Sequence, residues 1–170
     1  NLAASFAYME VSTILVDADL RRGILHTNFG VEKEKGVSTV LSGQYSLEES
    51  IVATRIPNLW FLPCGEFPPT PAELLSTGKM EELIRLLETR YKRVIIDTAP
   101  TIAVPDGMVV STRTSAALFV VRGSRTSRVL VSQSLQGLKN HGVLVAGVVL
   151  NNVRPEDWEY RTYPYRYGHL

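Results

Sequence analysis

Asp17, Asp19 and Asp97 are the residues whose type and placement could do chemistry. The first two close the stretch Ile14-Leu15-Val16-Asp17-Ala18-Asp19-Leu20-Arg21-Arg22, where a short, mostly β-branched run stops at two carboxylates separated by one small residue. Such a run reads as a fully buried strand. Burying charge is costly, so the acids are expected where the strand leaves the core. Ligands of open parallel sheets bind at that carboxyl end, which places the pair for phosphate-bound Mg²⁺ or for accepting a proton. The same pattern also fits a solvated strand-to-loop turn. A second run of this form, Arg93-Val94-Ile95-Ile96-Asp97-Thr98-Ala99-Pro100, ends in an acid and is closed by a proline. Two strands are therefore expected to deliver three acids to one edge.

The elements that must hold this edge follow from periodicity. Residues 1–10 place Leu2, Phe6 and Met9 at i, i+4 and i+7, a helix with those three side chains inward. Residues 21–36 carry Gly23, Gly30 and Gly36 and read as a loop over the edge, with a helical turn at 25–29. His26 in that loop has no visible partner, and Arg21 and Arg22 are open to a phosphate, a neighbouring subunit or solvent. A short helix is predicted at 37–41, and Ser46-Leu47-Glu48-Glu49 has the form of a capping box. Leu59-Trp60-Phe61-Leu62 is a strand ended by Pro63. In Thr70-Pro71-Ala72-Glu73, Thr70 is the expected N-cap, Pro71 opens the first turn and Glu73 reaches back. Met80, Leu83, Ile84, Leu87 and Tyr91 share one face of a helix that feeds the Asp97 strand, and Pro105-Asp106 restarts a helix through Val110. A buried strand at 116–121, a helix at 126–140 with Val131, Leu135 and Leu138 inward, a left-handed stop at Asn140-His141-Gly142 and a last strand at 143–150 complete the order. Strands alternating with helices predict an α/β fold, a mostly parallel sheet covered by helices on both faces.

Composition narrows the classes. The length of 170 residues suits one domain, and 45% apolar with 21% charged residues is ordinary for a globular protein. A formal charge of +1 argues against a broad nucleic-acid surface. Cys64 is the single cysteine, so no internal disulfide or cysteine metal cluster forms and a reducing compartment is expected. No apolar run approaches the ~20 residues that cross a bilayer, and the first residues lack the pattern of a secretion signal, so membrane association is expected only through a partner. Periodicity stops at Arg154, dividing the chain into a domain at 1–153 and a tail at 154–170 expected to be mobile. The tail holds Tyr160, Tyr163, Tyr165 and Tyr167, broken up by Pro164 and Gly168. Exposed tyrosines are phosphate acceptors, and such a cluster also fits an aromatic docking patch or an interface arm.

On the two acid-ended stretches the chain resembles the deviant-Walker ATPases, and within them the bacterial tyrosine kinases of capsule and exopolysaccharide synthesis. The first stretch looks like the Walker A′ motif with its Asp-x-Asp-Leu-Arg ending, the second like the Walker B motif with Asp-Thr-x-Pro. Residues 68–76 are similar to the family's Pro-rich segment followed by Pro-Ala-Glu-Leu-Leu. Asn1-Leu2-Ala3 is similar to the continuation of its Gly-Lys-Ser/Thr phosphate loop, so the resemblance implies that the first strand and that loop are absent from this sequence and lie upstream. Gly23 stands where the family usually has proline.

The resemblance implies a P-loop NTPase-like fold and an ATP-dependent protein-tyrosine autokinase. Asp17, Asp19 and Asp97 would hold Mg²⁺ through water, and Asp17 would accept the proton of a tyrosine hydroxyl, whose solution pKa of ~10 calls for a base. Asn151, following the last strand, would contact the adenine, with Arg122 a second candidate; the alternative for Asn151 is a turn in which the side chain bonds its own backbone. Tyr160, Tyr163, Tyr165 and Tyr167 would be phosphorylated in trans on neighbours in a ring. A transmembrane polysaccharide co-polymerase or activator is the implied partner, at the cytoplasmic face of the membrane, with no nucleic acid. Two other functions are compatible with the motifs. One is a switch ATPase of the partition and division-site type, whose members end in amphipathic or basic segments instead of tyrosines. The other is an inactive, truncated family member serving as scaffold or phosphoacceptor.

Overall fold

The apolar run that precedes Asp17 forms β1 (Thr13–Asp17), whose residues are buried except for half-buried Leu15. The computed structural model describes residues 1–101, 104–123 and 125–153, so the tyrosine cluster expected at 160–167 lies outside the described residues. Two units divide the chain, Asn1–Thr114 and Ser115–Leu170.

In the first unit β1 lies between β3 (Leu59–Leu62) and β4 (Arg93–Asp97), parallel to both, and β2 (Val52–Ala53) pairs antiparallel with β3 at the edge. Period-2 alternation gives β1 two apolar faces. Ile14 and Val16 join Leu62 in the larger core, under α3 (Val37–Leu41), α4 (Leu47–Ser50), α5 (Pro71–Ser76), α6 (Gly78–Arg90) and α7 (Asp106–Ser111). Leu15 and Ile95 face the other way, toward α1 (Leu2–Tyr8) and Phe29 of α2 (Leu25–Phe29). Phe29 stacks on Phe61 with ring centroids 4.6 Å apart. The sheet is thus covered on both faces, as parallel sheets require.

Periodicity locates most of these elements. On α6 the predicted stripe Met80, Leu83, Ile84 and Leu87 is buried, and Tyr91 packs against Trp60. Ser46 caps α4 as its motif predicts, with Oγ accepting from the Glu49 N–H while Glu49 Oε2 accepts from the Ser46 N–H. Two expectations fail. Leu2 is 45% and Met9 72% exposed, and the buried face of α1 is Ala3 and Ala7. Small residues let this helix press close to the sheet, which the larger side chains would prevent. Thr70 makes no cap bond; α5 is positioned instead by burial of Pro71 and Leu75.

The second unit is a parallel pair, β5 (Ala117–Arg122) and β6 (Val145–Asn151), joined through α8 (Arg128–Asn140). Of β5, predicted as a buried strand, Phe119 and Val121 are buried while Leu118 and Val120 are 45% and 57% exposed. Leu138 is the buried residue of α8, with Val131 and Leu135 half-buried, and Gly142 supplies the expected left-handed stop at φ 73°. Among the described residues no helix is long and apolar enough to cross a membrane.

The α1 packing gives a direct test. Ala7→Leu is expected to destabilise the protein by about 1–3 kcal/mol through overpacking, whereas Met9→Ala should stay within about 0.5 kcal/mol of the parent. Denaturant unfolding of both variants checks this, and equal effects would contradict the observed helix face.

Candidate active site

The site grows out of strand register. Thr13 pairs with Arg93 and each following residue keeps step, so Asp17 and Asp97 stand side by side where the two strands end. The Ala18 N–H donates to the Asp97 carbonyl at 2.8 Å, which ties the two exits together. Both elements run parallel, so this is the carboxyl edge at which α/β sheets bind ligands.

Asp17 departs from expectation. Predicted where the strand opens to solvent, it is fully buried. The chain from Ala18 to Leu25 folds back over it: its Oδ1 accepts from the Asp19 N–H and its Oδ2 from the Leu25 N–H, each at 3.2 Å. These bonds reduce the cost of burying the carboxylate without removing it. Burial pushes Asp17 up to about 6; the Leu25 and Asp19 bonds pull the other way, and the charges of Asp97 and Asp19 add to the rise. Asp19 is half-buried and its Oδ1 accepts from the Arg21 and Arg22 N–H groups at 3.1 and 2.9 Å. Asp97 is exposed on its open side, yet packed protein behind it desolvates the carboxyl and raises its pKa, with the charge of Asp19 adding to the effect.

Two further residues shape the turn. Gly23 has no room for a side chain: a Cβ would lie 2.7 Å from the Asp19 carbonyl oxygen and from Cβ and Sγ of Cys64. Cys64 is fully buried, and burial together with Asp17 pushes its thiol up to about 11, as suits a packing role. Arg21, left open between phosphate, subunit and solvent, points to an unexpected partner. Its Nε and Nη2 donate to the two carboxylate oxygens of Asp106 at 2.7 and 3.0 Å. The Asp106 side chain is fully buried. Sequence reasoning missed Asp106 because an acid after proline at a helix start reads as ordinary helix chemistry. The remaining signal was an arginine close to the acid pair in need of a partner.

The acids meet at one edge, but among the described residues no group of three or more His, Cys, Asp or Glu is arranged to hold one ion directly. Magnesium keeps several waters and is bound through one or two carboxylates. The accessible Asp19 and Asp97 therefore suit it, with Asp17 behind them. In the second unit Arg122 and Asn151 are register partners, both exposed at the ends of β5 and β6. The Asn151 Oδ1 accepts from the Asn152 N–H at 2.9 Å, and Asn152 has φ 55°. The Asn151 side chain thus bonds the backbone of the residue that follows it while remaining exposed. Tyr160, Tyr163, Tyr165 and Tyr167 fall outside the described residues.

No family model matches the chain. It is similar to the tyrosine-protein kinase ptk of Acinetobacter johnsonii, 36% identical over 154 residues that make up 91% of this chain and 21% of the relative. The chain spans about a fifth of the length of the curated relatives it matches. Among solved structures it is similar to the kinase domain of VpsO, with 34% identity and a TM-score of 0.84 across 90% of this chain and 75% of that one. It is also similar to the kinase domain of the Escherichia coli tyrosine kinase ETK, with 34% identity and a TM-score of 0.86 across 99% of this chain and 64% of that one.

The raised Asp17 pKa carries a stability signature. A carboxyl at about 6 when folded, against an ordinary 3.8, binds its proton more tightly in the folded state, so its charged form is unfavourable at neutral pH and the penalty lifts as pH falls through 6 towards 4. Relative to Asp17→Asn, the parent protein is expected to gain about 2–3 kcal/mol of stability between pH 7 and pH 4. Urea unfolding of both proteins across that range measures the difference; a pH-independent gap would contradict the burial effect.

Proposed function

Because the chain belongs to the bacterial tyrosine kinases, we propose that it is part of an ATP-dependent protein-tyrosine autokinase whose acceptors are Tyr160, Tyr163, Tyr165 and Tyr167, modified in trans on a neighbouring copy. The observation that carries this reading is the shared rung of Asp17 and Asp97, with Asp19 on the turn that follows. Phosphoryl transfer asks for positioning and charge neutralisation more than covalent chemistry, and a carboxylate edge serves both.

In this proposal Asp19 and Asp97 hold Mg²⁺ through water, with Asp17 behind them. The ion, when bound, supplies neutralisation of charge on the phosphoryl oxygens. Asp17 accepts the tyrosine hydroxyl proton. Its upward shift to about 6 makes it a stronger base than an ordinary carboxylate while leaving it mostly ionised at neutral pH. Its complete burial adds a condition: the turn over it, held by the Asp19 and Leu25 N–H groups, has to part for a hydroxyl to reach either oxygen. The hydroxyl proton then passes to the carboxylate as the tyrosine oxygen bonds phosphorus and the nucleoside diphosphate leaves. Arg122 and Asn151 are proposed for the adenine, where Asn151 would present whatever capacity its bond to Asn152 leaves. We extend the reading to a ring of copies regulating capsular or exopolysaccharide synthesis and export. That ring would be recruited to the inner face of the membrane by a transmembrane co-polymerase or activator.

The full-length protein incubated with Mg-ATP is expected to acquire phosphotyrosine within residues 160–167, mapped by phosphopeptide mass spectrometry. Asp97→Asn should lower the initial rate by about 100-fold or more, the scale of losing one preorganised charge-stabilising group. Label confined to serine, or labelling that survives Asp97→Asn unchanged, would defeat the assignment.

A further inference from the structure

The Arg21–Asp106 pair joins two segments 85 residues apart in the chain, and both flank the acids. Arg21 is engaged twice: its backbone N–H donates to Asp19, and its guanidinium forks onto Asp106. Asp106 opens α7, whose second residue presses against the segment that leaves Asp97. A Cβ on Gly107 would sit 2.7 Å from Thr101 Cγ2 and 3.0 Å from both the Ala99 carbonyl oxygen and Thr98 Oγ1. The first turn of α7 therefore touches both acid-bearing exits, one through an ion pair and the other through close packing.

We infer that Asp106 is a positioning residue of the acid edge, acting through Arg21 to set the Asp17–Asp19 turn against the segment after Asp97. This rests on the kinase reading of the same edge. Burying a carboxylate completely is expensive even when it is paired, and apolar side chains of similar volume commonly stabilise as well or better. A two-point fork instead fixes distance and angle together, which a point charge or an apolar contact does not. The Arg21 side chain is 37% exposed, so one side of the clamp faces the solvent edge where the substrates would arrive. The fork and the backbone bond to Asp19 restrain the same residue from two sides, so loosening the fork frees the turn that presents Asp19 and covers Asp17.

The test uses the full-length protein with Asp106→Asn, Arg21→Gln, Arg21→Lys and the Asp106→Asn/Arg21→Gln pair. Two readouts are taken: amide hydrogen exchange, and tyrosine autophosphorylation across a Mg²⁺ titration. Asp106→Asn and Arg21→Gln are each expected to speed exchange in residues 19–25 by about tenfold or more while α6 and β3 keep their protection. They should also lower kcat by about 10- to 100-fold and raise the Mg²⁺ needed for half-maximal rate, the usual scale for removing a group that orients a ligand. Arg21→Lys, which keeps the charge and loses the fork, should fall between. The double variant should be no worse than either single one, because both remove the same restraint. Additive losses would overturn the inference. So would protection lost uniformly through the unit, or kcat and Mg²⁺ dependence unchanged in a folded Asp106→Asn protein. If the parent shows no phosphotransfer, the kinase reading fails and the exchange data decide alone: local acceleration at 19–25 sustains the clamp and its absence refutes it.

Discussion

The parallel register between β1 and β4 is the constraint on which the site depends. Because Thr13 meets Arg93, the last rung has to set Asp17 beside Asp97; burial raises the pKa of both, and the charge of Asp97 adds to the rise at Asp17 as that of Asp19 does at Asp97. A one-residue slip would send every side chain of a strand to the opposite face. Ile14 and Val16 on one side and Leu15 on the other hold the register against that slip, since both faces are packed. The unfavourable juxtaposition of acids is thus enforced by favourable burial elsewhere in the same strands. Titratable groups perturbed by burial and by neighbouring acids, at a strand-end edge, mark a candidate functional site.

The turn after β1 resolves the conflict between burial and charge. Backbone N–H groups from Asp19 and Leu25 give the Asp17 carboxylate the partners that water would have provided, and Asp19 performs the equivalent service for the N–H groups of Arg21 and Arg22. Gly23 permits the tight approach of Cys64 beneath this turn, and Asp106 holds its outer side through Arg21. Accessible Asp19 and Asp97 and enclosed Asp17 consequently have different chemical prospects despite sharing one edge. In the proposed reading, half-buried Asp19 and exposed Asp97 take the hydrated cation, and enclosed Asp17 takes the proton once its cover moves.

Much of this was legible along the chain wherever a local pattern and its burial agree. The β-branched runs before Asp17 and Asp97, the stripe from Met80 to Leu87, and the Ser46–Glu49 cap all form where their residue types predict. Patterns failed where two local solutions compete. On α1 the alanine face and the larger Leu2–Met9 face have similar helical spacing, and the distance to the sheet chose the smaller. At Thr70 the residue types of a capping box are present, but packing of Pro71 and Leu75 sets the helix without it.

The sequence by itself determined that two apolar strands end in acids, that helices cover a parallel sheet, and that the chain resembles tyrosine kinases, because these depend on residue type and short-range period; of the two strands only the one ending at Asp17 is buried, the Asp97 strand being half-buried. Only the tertiary structure decided that Asp17 and Asp97 share a rung, that Asp17 is covered while Asp97 is open, and that Arg21 reaches Asp106. Those outcomes rest on register between strands far apart in the chain and on how a turn folds back over its own carboxylate. Such contacts exist only once distant segments are packed together, and no local periodicity encodes their distances.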